Sequence, residues 1–268
     1  MKPIVKWAGG KTQLLKYIVS MMPKQFNRYY EPFFGGGALF FEIQPAKATI
    51  NDYNYKLINV YKIVKDKPSE LISILDEHQN NHKDGYYNLV RTEFNKNILF
   101  NEESVKDAAD FIYLNKMCYN GLFRVNSKGL FNVPSSRKKN CILYDEKNIY
   151  DVSKALSKAT ILSGDFEKAC CRARRGDFVF FDSPYFDTFD CYQKDGFSIE
   201  EHKRLANLFK KLSERGVYCM LTNSDTDFIR QLYSEYTINS VDVKRMINCD
   251  GKNRTGKELI ITNYYVKM

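Results

Sequence analysis

Phe178-Val179-Phe180-Phe181-Asp182-Ser183-Pro184-Tyr185 decides how the rest of the chain is read. Four consecutive apolar residues predict a buried strand. An acid, a Ser-Pro pair and an aromatic follow where that strand ends. In open α/β sheets, ligands bind beyond the carboxyl ends of the strands. A carboxylate, main-chain carbonyls and a ring at such a point suit a flat base held by its amine.

Upstream, Tyr29-Tyr30-Glu31-Pro32-Phe33-Phe34-Gly35-Gly36-Gly37 runs into Ala38-Leu39-Phe40-Phe41 and reads as a strand end, a glycine loop and a helix opening. Three glycines remove every Cβ at the turn, so a ligand can lie against main chain. Ala48-Thr49-Ile50-Asn51-Asp52 predicts a second strand with an acid at its tip, placed to grip ribose hydroxyls. The G-x-G-x-x-G form is not met, since Phe40 stands at the third glycine position, which argues against NAD. Lys6-Trp7-Ala8-Gly9-Gly10-Lys11 is a glycine pair between lysines without Walker A spacing, and a helix is predicted from about Thr12.

Downstream, Thr160-Ile161-Leu162-Ser163 leads to Gly164-Asp165-Phe166, another acid at a strand end. A strand over 217–221 leads to Thr222-Asn223-Ser224-Asp225, and further strands are predicted over 236–241 and 259–265. Helices are predicted over 200–212 and 227–232. The middle of the chain is helical in pattern. One helix covers 56–65, with Leu57, Ile58, Tyr61 and Val64. Pro68 suits the first position of another, with Leu71, Ile72 and Leu75 on one face. A short one covers 86–94. A stronger one is predicted to start at Asn101-Glu102-Glu103, with Val105, Ala108, Ala109 and Ile112 inward and Asp107 near its outer face.

No strand signal interrupts this block until about Leu122. There, two short β-like runs flank Asn126-Ser127-Lys128-Gly129, a turn consistent with a hairpin. Arg124, Asn126, Lys128, Asn132, Arg137, Lys138 and Lys139 cluster around it among aromatics. In a DNA groove, Arg pairs with guanine and Asn with adenine; a solvated surface hairpin accounts for the same pattern. The basic stretch 244–254 is open to two readings, phosphate contact or a solvated loop.

The chain has 268 residues and a net charge of +9, which fits a polyanionic partner such as nucleic acid. No stretch approaches the roughly 18 apolar residues of a membrane span, and the N-terminus lacks the apolar core of a signal peptide. A soluble cytoplasmic protein is expected. Seven cysteines without C-x-x-C spacing predict reduced thiols and no metal site. Three histidines give little support to a histidine triad.

The ordered set of motifs resembles the Dam-type adenine-specific DNA methyltransferases, the α-class D12 family that acts on N6 of adenine. The residues that carry the resemblance are 6–11, 31–37, Asn51-Asp52, 120–126 through 131–134, 164–166 and 182–185, spanning nearly the whole chain. The resemblance implies an α/β, Rossmann-like S-adenosylmethionine-dependent methyltransferase fold. It also implies an inserted, mainly helical DNA-recognition domain carrying a β-hairpin. The parts are then a catalytic domain over 1–55 and 158–268 and a target-recognition domain over 56–157. By the same resemblance, Asp182, Ser183, Pro184 and Tyr185 are catalytic. Trp7, Lys11, Phe33, Gly35, Gly37, Asp52, Asp165, Phe166 and Asp182 hold the cofactor S-adenosylmethionine. Lys6, Lys11, Tyr119, Asn120, Leu122, Arg124, Asn126, Pro134 and Arg137 contact double-stranded DNA. The implied product is N6-methyladenine within GATC, made by a monomer that acts on a flipped base and has a possible cognate restriction endonuclease as partner.

The chain departs from the family pattern twice. The usual Asp-Pro-Pro-Tyr reads Asp182-Ser183-Pro184-Tyr185, and the usual aromatic-Gly-Arg after the hairpin proline reads Ser135-Ser136-Arg137. Two other functions stand beside the main one: a non-catalytic DNA-binding protein on a methyltransferase scaffold, and a methyltransferase acting on another amine, cytosine N4 or RNA.

Overall fold

The computed structural model describes residues 1–7, 9–11, 13–99, 103–138, 141–186, 197–244 and 255–265. Seven strands among these residues form one sheet: β1 (Tyr29–Glu31), β2 (Ala48–Asp52), β3 (Ala159–Ser163), β4 (Phe178–Phe181), β5 (Tyr218–Ser224), β6 (Thr237–Lys244) and β7 (Thr255–Thr262). Their spatial order is β3-β2-β1-β4-β5-β7-β6. Strands β1 to β5 pair in parallel, and β7 runs antiparallel to both β5 and β6. The order reverses between β1 and β4. Connections from these two strands leave in opposite directions, and Glu31 and Asp182 stand at this switch point, where open α/β sheets bind ligands.

The helices are α1 (Leu15–Met21), α2 (Ala38–Ile43), α3 (Tyr55–Asp66), α4 (Pro68–Asn81), α5 (Tyr86–Leu99), α6 (Val105–Met117), α7 (Glu146–Leu156), α8 (Phe166–Cys170), α9 (Ile199–Glu214) and α10 (Asp227–Leu232). Side chains alternate across a strand, so β4 feeds two cores. Phe178 and Phe180 join Tyr29, Met220 and Ile260 under α1 to α7. Val179 and Phe181 join Leu221, Leu259 and Ile261 under α8 to α10. Both faces are covered, which is why the run at 178–181 is apolar without interruption.

Most predicted elements are present, with instructive differences. β7 begins at Thr255 rather than 259, because Gly256, Lys257 and Glu258 pair with β6 beyond the apolar core, where no hydrophobic pattern marks the pairing. α1 begins at Leu15, later than Thr12. α6 begins at Val105, where Ser104 accepts a hydrogen bond from the Asp107 N–H at 3.1 Å. Asp107 does not face outward. It is fully buried, 2.9 Å from the equally buried Lys56 ammonium of α3. α6 is covered on all sides, with Asp107 through Asn115 buried, so a periodic inner face could not reveal that the outer one is buried too. The hairpin is held by two isolated antiparallel bridges, Cys118 with Ser135 and Val125 with Phe131, rather than by named strands. The basic stretch beyond Lys244 and Lys139 lie outside the described residues. No described helix is long and apolar enough to cross a membrane.

Candidate active site

The loop leaving β4 is tied to the polar tip of β5. Asp182 Oδ1 accepts from the Thr222 hydroxyl at 2.8 Å. The Asn223 Oδ1 accepts from the Phe186 N–H at 2.9 Å, and its amide nitrogen reaches the Ser183 hydroxyl at 3.4 Å. The Ser224 hydroxyl donates to the Phe186 carbonyl at 2.7 Å. These bonds fix both ends of the tetrad. Lys11, only 6% exposed, places its ammonium 2.7 Å from Asp182 Oδ1, 2.6 Å from the Gly9 carbonyl and 4.5 Å from the centre of the Tyr185 ring. The Tyr185 hydroxyl donates to Glu258 Oε2 at 2.7 Å. Burial, then Asp182 and Glu258, hold this phenol well above its ordinary range, offset in part by a hydrogen bond with Thr222. It is a neutral donor at any physiological pH.

A second group forms at the tips of β1, β2 and β3. Asp52 accepts main-chain hydrogen bonds from Gly35 at 2.8 Å and Asn54 at 2.9 Å. Burial raises its carboxyl, and these bonds oppose the shift. The Asn51 amide donates to the Pro32 and Gly164 carbonyls at 3.0 and 2.9 Å, so one side chain joins the loops after β1 and β3. Glu31 accepts from the Tyr29 hydroxyl at 2.8 Å, and burial drives its carboxyl well above the usual range. The Phe33 ring packs 5.2 Å from Phe166 and edge-on to Phe197 at 5.8 Å. The Arg204 guanidinium lies 4.7 Å above Phe166 and bonds Asp165 at 2.7 Å. Burial would raise the Asp165 carboxyl, but Arg204 and the Glu167 N–H outweigh it and hold it below the ordinary value.

Gly37 opens α2 with φ of +67°. A Cβ there would stand 2.5 Å from Phe34 Cζ and 2.9 Å from Phe41 Cε2, both on buried rings. Gly37→Ala is expected to lower stability by about 2–3 kcal/mol through left-handed strain and overpacking. Urea denaturation checks this: an unchanged midpoint would mean that the loop accommodates a side chain.

The N-terminal segment links these groups to the hairpin. A Cβ at Gly35 would meet Trp7 Cδ1 at 2.8 Å, while the Trp7 ring stacks on Phe123 at 5.7 Å and Phe111 at 6.3 Å. The Asn115 side chain bonds both main-chain groups of Lys6, at 2.8 and 2.9 Å, and the Gly121 carbonyl at 3.1 Å. Tyr119 is 57% exposed beside exposed Asn120, whose φ is +56°. Arg124 donates to the Asn132 side chain at 2.9 Å. Asn126 Oδ1 accepts from the N–H groups of Lys128 and Leu130, closing the turn. The Pro134 carbonyl accepts from the Tyr119 N–H at 2.9 Å, and Leu122 is half-buried. Arg137 is exposed, with its N–H on the Ser135 hydroxyl.

The structure thus brings Lys11, Asp182 and Tyr185 together, and likewise Trp7, Gly35 and Asp52, and Phe33 and Phe166. Sequence reasoning missed Asn115, Phe197, Arg204, Thr222, Asn223 and Glu258. Only Thr222 and Asn223 carried a signal, as polar residues directly after an apolar run.

A family model described as D12 class N6 adenine-specific DNA methyltransferase matches residues 7–247. Type II methyltransferase M.MjaIII of Methanocaldococcus jannaschii is 44% identical over 289 residues, covering 98% of this chain and 99% of its own. Type II methyltransferase M1.LlaDCHI of Lactococcus lactis subsp. cremoris is 42% identical over 273 residues, covering 98% and 96%. The DNA adenine methylase of Escherichia coli K12 is 31% identical over 271 residues, covering 98% and 95%.

Proposed function

The chain belongs to the D12 class of N6 adenine-specific DNA methyltransferases, and on that premise we propose that it methylates a flipped adenine within GATC, using S-adenosylmethionine. The observation that supports this most is Asp182 at the tip of β4, held by Thr222 beside the Tyr185 ring. The fold is read as a Rossmann-like methyltransferase core over 1–55 and 158–268, with a recognition part over 56–157 that carries the hairpin.

The residues present fit the cofactor. Phe33, Phe166 and Phe197 offer apolar ring surface beside Asp165. The half-buried Asp52 keeps acceptor capacity for ribose hydroxyls beyond its main-chain bonds. Gly35 and Gly37 lie in the loop that meets Trp7 and Asp52, and Lys11 stands at Asp182. Bound there, S-adenosylmethionine supplies an electrophilic methyl group.

The exocyclic nitrogen of adenine is a poor nucleophile because its lone pair is delocalised into the ring. Asp182 accepts one amine hydrogen through its carboxylate, and the Ser183 carbonyl accepts the other, which turns the lone pair outward. Positive charge then grows on the nitrogen, and the fixed carboxylate stabilises it as an oxyanion hole stabilises negative charge. Tyr185 stacks on the base, and Pro184 holds Ser183 extended. Flipping costs a few kcal/mol, offset when exposed Tyr119 and half-buried Leu122 fill the vacated stack. Lys6, Asn120, Arg124, Asn126, Pro134 and Arg137 supply the remaining DNA contacts.

Ser183→Pro is expected to keep or raise turnover. The acceptor is main chain, and the Ser183 hydroxyl makes only a long contact at 3.4 Å. A fall beyond about tenfold, or 1.4 kcal/mol in the barrier, would count against this role.

The two relatives named Type II methyltransferases support a cognate restriction endonuclease as partner, and the chain is read as a monomer working in the compartment that holds DNA. The function is tested by methyl transfer from labelled S-adenosylmethionine to duplexes with and without GATC. Equal labelling of both would remove the GATC assignment. No labelling of either would remove the catalytic one.

A further inference from the structure

Tyr185 is held from a strand more than seventy residues away. Its hydroxyl donates to Glu258 Oε2 at 2.7 Å, and both side chains are partly sheltered. Glu258 lies on β7, directly opposite Ser224 of β5. Because β7 runs antiparallel, its N-terminal end arrives at the rim where the parallel strands present their C-terminal ends. Opposite residues share a face of a sheet, and so do alternate residues on one strand. Glu258 therefore shares its face with Thr222, which bonds Asp182. One face of the β5–β7 pair thus holds the acid from Thr222 and the aromatic from Glu258.

A tyrosine ring swings about two side-chain torsions. A charged acceptor at the far end of the ring removes that freedom, and such bonds are roughly twice as strong as neutral ones. Lys11, 4.5 Å from the ring centre, contacts the ring and not its hydroxyl, so its withdrawal from Asp182 would leave the hydroxyl contacts in place. The Glu258 bond remains. We propose that Glu258 is a positioning residue that sets the plane of the Tyr185 ring, and with it the tilt of the stacked adenine relative to the incoming methyl group. The inference rests on the methyl-transfer function proposed above.

Expected behaviour follows from geometry. Glu258→Ala lowers kcat by about 10- to 100-fold, since misplacement near 1 Å has effects of that order, and changes KM for S-adenosylmethionine little. Glu258→Gln keeps an acceptor oxygen and recovers most of the loss. Tyr185→Phe removes the donor, so adding Glu258→Ala to it gives no further loss in kcat. A fully additive double variant would overturn the proposal, because Glu258 would then act without Tyr185.

A readout independent of turnover accompanies these. Protein labelled with 3-fluorotyrosine gives a 19F line for Tyr185, identified by its absence in Tyr185→Phe. In Glu258→Ala this line is expected to move toward that of free fluorotyrosine, and in Glu258→Gln to stay near its native position. An unmoved line in Glu258→Ala would overturn the proposal. If native protein labels no DNA while the line moves, the methyl-transfer function fails and the anchoring of Tyr185 stands.

Discussion

Asp182→Asn lowers kcat for methyl transfer by about 10²- to 10³-fold, roughly 2.7–4 kcal/mol, by analogy with removal of one preorganised stabilising group. The substitution keeps the shape. Thr222 still finds an acceptor oxygen, and Lys11 keeps the Gly9 carbonyl at 2.6 Å. What disappears is the negative charge next to a nitrogen that becomes positive. In one rotamer the new amide also points hydrogens at the amine and repels it. Because the loss falls on the transition state, kcat and kcat/KM fall together. Single-turnover methyl transfer and equilibrium dialysis with S-adenosylmethionine separate the two effects. Native turnover in this variant would remove Asp182 from the chemistry, and lost cofactor binding would make it a cofactor ligand first.

Asp107→Ala has the largest expected effect on stability, about 3–5 kcal/mol. Lys56 is 2% exposed, and Asp107 is the carboxylate 2.9 Å from its ammonium. Asp107 also accepts from the Asn59 amide at 3.3 Å. Removing the acid takes an ion-pair partner from a buried cation and a hydrogen-bond partner from a buried amide. A chain of this size should melt about 10 °C lower. Asp107→Asn, which keeps an acceptor for Asn59, should lose less. There is a pH signature as well. Burial raises the Asp107 carboxyl above its ordinary value despite the opposing Lys56. Between the unfolded and folded pKa the native state binds the extra proton, so this group's contribution falls as pH rises through that window. Asp107→Asn should flatten that part of the stability curve. Equal melting temperatures for native protein and Asp107→Ala would show the pair to be energetically idle.

Local patterning was legible in the sequence where one residue type implies one environment. Phe178 to Phe181 read as a buried strand, and all four residues are buried in β4. Pro68 opens α4 as its missing N–H allows. Asp107 was misread because a helix can be buried on every side while its apolar residues still mark one stripe. α7 was unassigned, although Asp145 caps it and Ile149, Val152 and Leu156 recur at helical spacing. The candidate site divides in the same way. Glycines before α2 and acids at strand tips follow from local geometry. The Lys11–Asp182 pair and the Glu258 acceptor do not, because each depends on which strands become neighbours. No local signal marks β7 as the strand that inserts between β5 and β6.

The Lys11 contact has a consequence for how DNA and protein exchange partners. In the free protein an ammonium already occupies the carboxylate and faces the ring of Tyr185. On the proposed mechanism, this ammonium competes with the base amine for Asp182. An adenine amine is neutral on arrival and trades poorly for a full cation, so the resting complex is held loosely. Once the nitrogen becomes cationic, the trade is charge for charge. Displacing the ammonium is a cost that the bound ground state and the transition state carry alike, so it lowers affinity without setting the barrier between them.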